Sequence, residues 1–191
     1  GTSYAFDVYG TSGLLSIDDT ATSGSNIAYY FYGTNDSRIY NLTASSGGST
    51  SVYIRGVGAA DNNSFYNLNS SADNAVYFRG TTGATFYDCI ALEGSSYDFF
   101  ANADGGSNAT FVNCTIGPKY VYANNNLTVK WWGETIVNDS NGYLGNASVN
   151  ITDVDGTNVF SNTTDASGNG GKVALTEYRQ DDVSSITYST P

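Results

Sequence analysis

The chain has 191 residues, 40% of them apolar and 14% aromatic, which is enough for one packed domain or a domain with a small companion. Seven Lys+Arg against 18 Asp+Glu give a net charge of −11, which excludes a phosphate-tracking nucleic-acid binder and disfavours an anionic membrane surface. Twenty-two Gly with only 2 Pro and no Met point to turn-rich β structure rather than helix, and no window is long and apolar enough to span a bilayer.

In chain order, residues 1–26 break the period of the repeats after them and predict a pair of strands capping the first coil. From residue 27 two series of short apolar runs alternate. The first reads YYFYG, VYIRG, VYFRG, DFFAN and YVYAN, ending at Gly33, Gly56, Gly80, Asn102 and Asn124. Its intervals are 23, 24, 22 and 22 residues. The second reads RIYNL, SFYNL, TFYDC and TFVNC, and places Asn41, Asn67, Asp88 and Asn113 in equivalent positions. Two phased series at one period define a repeat array. Each unit holds two or three β-type runs between Gly, Asn, Asp and Ser turns, with no helical periodicity. Such a unit is one coil of a parallel β-helix, whose equivalent residues stack as ladders at the ~4.8 Å strand spacing. The expectation is an all-β fold, with about five such coils over residues 27–135 and a small antiparallel β-sandwich over 136–191.

The TFYDC and TFVNC runs, with their Asn and aliphatic stacks, resemble the right-handed pectate-lyase-like β-helix of many secreted proteins over residues 27–132. The resemblance implies fold and leaves activity open. It also implies that Asn41, Asn67, Asp88 and Asn113 form a ladder at the second turn, pointing inward or along it. Cys89 and Cys114 fall one coil apart in the next position. Neighbours at that spacing are within disulfide reach, and two buried thiols filling an aliphatic stack fit the same position.

Eleven Asn-x-Ser/Thr triplets occur, at Asn35, Asn41, Asn62, Asn69, Asn108, Asn113, Asn126, Asn138, Asn146, Asn150 and Asn162. Composition alone gives roughly five, so the excess predicts an exported, N-glycosylated chain. Asn41 and Asn113 are assigned to the ladder and the other nine to sugar attachment, with Asn108 exposed after the loop at 103–107.

Beyond the repeats, Trp131 and Trp132 are expected to seal the last coil; a sugar-stacking platform is the alternative. The C-terminal runs SVNIT, NVFSNT and KVALTEY alternate and are joined by the turns DVDGT and DASGNGG. With Ala147-Ser148-Val149 and Thr163-Thr164-Asp165-Ala166-Ser167-Gly168, they resemble a carboxypeptidase-regulatory-like, prealbumin-type module. Archaeal surface proteins append such a module to a β-helix, with a run like Leu175 to Tyr178. The chain stops at Pro191 where one more strand is expected; either that strand is missing from the sequence or a neighbouring subunit supplies it.

For catalysis, Arg55 and Arg79, one coil apart, are candidates for the base that lyase chemistry needs. They share one repeat position, which suits a structural row, and Asp98 and Asp104 stand alone. Asp18-Asp19 and Asp181-Asp182 are expected outside the coils. The Asp153-x-Asp155-Gly156 turn lacks the closing Glu of a calcium loop and reads as a hairpin turn. The expectation is therefore a non-catalytic, self-assembling subunit of an extracellular filament, sheath or surface layer. Its partners are copies of itself and covalent N-glycans. No cofactor is expected, with calcium conceivable only between subunits. An adhesion or glycan-binding module, using Tyr29, Tyr30, Tyr53 and Tyr77, is the second reading.

Overall fold

The computed structural model describes residues 4–10, 12–24, 26–56, 60–80, 82–102 and 106–189. The expectations placed on Asp104 and Pro191 lie outside them. The chain winds into a parallel β-solenoid of about five turns, followed by small antiparallel sheets.

Three files of strands build the coils. One face stacks β1 (Tyr4–Tyr9), β4 (Ile27–Tyr32), β7 (Thr50–Arg55), the second halves of β9 (Asn69–Arg79) and β11 (Ala91–Ala101), and β13 (Lys119–Val121). The second face stacks β2 (Leu15–Ile17), β5 (Arg38–Tyr40), β8 (Ala60–Tyr66), β10 (Thr82–Tyr87), β12 (Asn108–Val112) and β14 (Asn126–Ile136). The short third face holds β3 (Thr20–Ser23), β6 (Thr43–Ser46) and the first halves of β9 and β11.

Alternation along each strand sends every second residue inward, and the repeat makes that residue the same type in coil after coil. On the second face the inward file is Ile39, Phe65, Phe86, Phe111 and Val129, all at most 2% exposed. Phe86 lies parallel to Phe65 and Phe111, with ring centroids 4.9 and 4.5 Å away. On the first face Phe31, Ile54, Phe78 and Ala101 form the matching file and close the core from the opposite wall. Each such phenyl contributes about 1.5–3 kcal/mol of burial.

Residues 4–23 are not a cap. β1, β2 and β3 each pair in parallel with the equivalent strand of the next coil, so the segment is a full coil in register. Its divergent sequence has a physical reason. Ser16 and Asp19 occupy the inward positions that Phe65 and Leu68 fill further along, and together they meet the Tyr29 hydroxyl. Asp18 and Asp19 thus lie within a coil, contrary to expectation.

At the other end, β14 runs straight on through Trp131 and Trp132 instead of turning. β19 (Asn169–Gln180) lies antiparallel along its whole length, and β20 (Ile186–Tyr188) pairs with β19. The expected boundary after residue 135 is therefore bridged by a continuous sheet. Between these strands lie two hairpins, β15 (Asn138–Asp139) with β16 (Gly142–Tyr143), and β17 (Ser148–Thr152) with β18 (Asn158–Thr163).

Candidate functional site

The turn after the second face is made by one left-handed residue per coil. Asp18, Asn41, Asn67, Asp88 and Asn113 have φ of 58, 54, 56, 52 and 56°. Asn and Asp tolerate this region where other side chains clash with the backbone. Asn41 Nδ2 donates to Asp18 at 2.6 Å, Asn67 Nδ2 to Asn41 at 2.8 Å and Asn113 Nδ2 to Asp88 at 2.8 Å. The ladder runs along the outside of the turn, with Asn41 and Asn113 exposed. The asparagines that do point inward are Asn63 and Asn125, each 1% exposed. Asn63 binds the backbone of Thr34 and Ser37, and Asn125 that of Asn102 and Ser107. The repeat hid them because each sits beside a sequon Asn in an Asn-rich run. Trp131 occupies the next rung of the left-handed file, and there the chain extends rather than turns.

Behind the ladder Cys89 and Cys114 form a disulfide across adjacent coils, with Cα atoms 4.9 Å apart. Trp132 completes this end, its indole N–H donating to Asp88 at 2.9 Å and Lys172 lying over its ring at 4.4 Å. Trp131 donates to Glu177 at 2.6 Å. Both indoles are thus tied to the coil or to β19.

The tyrosines stack on one another. Tyr4, Tyr30, Tyr53, Tyr77, Phe100 and Tyr120 form one column along the first face, with successive centroids 4.4 to 5.4 Å apart. Tyr40, Tyr66 and Tyr87 form another on the second face, at 4.5 and 4.8 Å. Tyr29 is fully buried, and burial raises its hydroxyl well above the usual tyrosine range. Where rings stack face to face, as in Tyr53–Tyr77 and the Tyr40–Tyr66–Tyr87 column, edges rather than faces are left for a sugar to meet. The hydroxyls of the first column are held by the next coil: Arg55 bonds Tyr30, Arg79 bonds Tyr53, and Asn102 donates to Tyr77 at 2.8 Å. Arg55 and Arg79 are therefore structural pins. Asp98 is 6% exposed and accepts from the backbone N–H of Gly94 at 2.8 Å and Gly117 at 2.5 Å, which closes the irregularity within β11 and ties it to the loop at Gly117.

Among the sequons, Asn62, Asn108, Asn138, Asn146, Asn150 and Asn162 are exposed, while Asn35, Asn69 and Asn126 are half-buried. Asn126 donates to Asn108 at 3.0 Å, so Asn108 also belongs to a short ladder.

Beyond the coils, Asp155, Asp165 and Asp182 each accept from the hydroxyl and backbone N–H of the Ser or Thr two residues on. Those bonds hold their carboxyls below the usual range. The Asp153–Thr157 segment is accordingly a hairpin turn closed by its own side chains. A groove of about 660 Å³ opens where β12 and β14 meet β19 and β20, lined by Thr128, Lys130, Arg179 and Asp181 among others.

Compared with models of protein families, with curated proteins and with solved structures, the chain finds no match in any of the three.

Proposed function

We propose that this chain is a non-catalytic structural subunit of an extracellular glycoprotein assembly such as a filament, sheath or surface layer. The observation that carries the reading is the state of the first coil. β1, β2 and β3 have no partner strand on their outer side among the described residues. Phe6, Tyr9 and Leu15 are 45, 69 and 63% exposed there. Phe6 continues the inward file through Tyr29, and Tyr9 stacks on Tyr32 at 4.7 Å. An open strand edge with unfinished aromatic columns favours addition of another chain.

Several features favour the extracellular part of the reading. The disulfide suits an oxidising compartment, and sugar on the exposed Asn62, Asn108, Asn138, Asn146, Asn150 and Asn162 would decorate the outside of the coils and hairpins. We read β17, β18 and β19 as a prealbumin-type sandwich module of the kind archaeal surface proteins carry. Calcium between subunits is compatible with the 15 Asp of the chain, and chelation then disperses the assembly.

The test is sedimentation of the intact chain beside Phe6→Asp, with circular dichroism on both. The parent is expected to sediment as a polymer while the variant stays small and folded. A parent that remains monomeric at high concentration overturns the proposal.

A further inference from the structure

One row crosses the outer surface of the second sheet. Ser64, Thr85, Thr110, Thr128, Arg179 and Thr187 are register partners in succession across β8, β10, β12, β14, β19 and β20. Their chain neighbours Phe65, Phe86, Phe111 and Val129 point into the core, so these side chains face out. Strand spacing puts a hydroxyl about every 4.8 Å from Ser64 to Thr128, with Arg179 following and then Thr187. At its C-terminal end the row becomes the floor of the 660 Å³ groove, whose walls include Lys130, Leu175, Val159 and Asp181. A second hollow of about 380 Å³ shares Thr110 with it and extends past Thr85 toward Asn62.

The cations are distributed unevenly in use. Arg55 and Arg79 hold tyrosine hydroxyls, and Lys119 and Lys172 sit over the rings of Tyr178 and Trp132. Lys130 and Arg179 have neither an ion-pair partner nor a side-chain hydrogen-bond partner among the described residues. They are diagonal neighbours on one face, because Arg179 lies opposite Thr128 and Lys130 two residues beyond it. Asp153 and Asp181 line the same groove but form no ion pair with either cation among the described residues, so an anionic group from outside can sit between Lys130 and Arg179.

We propose that this groove binds an acidic oligosaccharide, a short chain of sugar rings carrying carboxylate or sulfate groups. Threonine hydroxyls both donate and accept, as sugar hydroxyls do. Asp181 accepts from sugar hydroxyls, Leu175 and Val159 meet the C–H face of a ring, and Lys130 with Arg179 takes the acidic substituent. The inference stands apart from self-assembly, since the groove lies at the opposite end of the solenoid from the open coil edge.

The experiment is calorimetric titration of the full chain at low salt with three probes on one sugar backbone: sulfated, carboxylated and neutral. The proposal predicts that at least one acidic probe binds about tenfold or more tighter than the neutral one, and loses affinity as salt rises. Lys130→Gln and Arg179→Gln each weaken it about tenfold, and Thr128→Val weakens both acidic and neutral probes. All three side chains lie outside the core, so unchanged melting curves confirm folding. Absence of binding at millimolar concentration, equal binding of the neutral probe, or full affinity in the Lys130→Gln/Arg179→Gln double variant overturns it.

Discussion

Asn113 shows how much one residue decides. Its φ of 56° sets the turn, and its amide reaches Asp88 in the coil before. Asn113→Ala keeps neither, and is expected to cost about 1–2 kcal/mol for the left-handed backbone and the lost bond together. Asn113→Gly restores the backbone freedom, so its melting temperature should fall between those of the parent and the Ala variant. Asp98 is a heavier case, because its buried carboxylate accepts from two backbone N–H groups, those of Gly94 and Gly117. Asp98→Ala should cost about 3 kcal/mol, a loss of roughly 6–12 °C in melting temperature. Tyr178, together with the buried Tyr29, supplies an alkaline pH dependence. Burial, with Glu177 and Tyr188 beside it, pushes the Tyr178 hydroxyl up to about 12. The folded state therefore holds a proton that the unfolded chain releases near pH ~10. The contribution of Tyr178 to stability is complete below about pH 10 and is lost as pH rises from there to about 12. Tyr178→Phe should lessen the fall in alkaline melting curves, with the part due to Tyr29 remaining. The ladder file was visible in the sequence as Asn, Asn, Asp and Asn at one phase. Its outward placement was not, because a left-handed turn residue and a buried ladder residue draw on the same small polar side chains. Asn63 and Asn125 escaped notice for the same reason.

At the scale of elements, the coils depend on like residues meeting like. Phe86 lies between two phenyl rings and is fully buried, so Phe86→Ala should cost about 3–5 kcal/mol. The Cys89–Cys114 bond closes a separation of 25 residues, for which chain entropy gives about 3 kcal/mol. Reduction should lower the melting temperature by roughly 6–12 °C; an unchanged melting curve with both thiols titrated would show that the bond adds nothing. The phase of the apolar runs was enough to place the coils from residue 27 on. It failed for the first coil, where Ser16 and Asp19 replace apolar residues and erase the pattern, although the pairing of β1 with β4 is regular. It also could not foresee that β14 runs straight past Asn113's equivalent. The signal for that was Trp131 at a rung otherwise held by Asn or Asp, since a bulky aromatic does not take the left-handed turn.

Across the whole molecule, the two ends differ in kind. The C-terminal end of the second sheet is covered by β19 and β20, whereas the first coil exposes strand edges and ring faces among the described residues. The groove and its unpartnered cations were not legible beforehand, because Thr128 and Arg179 are 51 positions apart in sequence and meet only through the antiparallel pairing of β14 with β19. The exposed edge and the groove make separable predictions, one about association and one about ligand binding. Whether copies of this chain build on one another is decided by electron microscopy of the intact, untagged chain at physiological salt. Regular fibres, tubes or sheets are expected, in which the first coil of one copy is covered by another. Dispersed single particles at high concentration, with Phe6 and Tyr9 still open to solvent, would contradict a structural, self-assembling role.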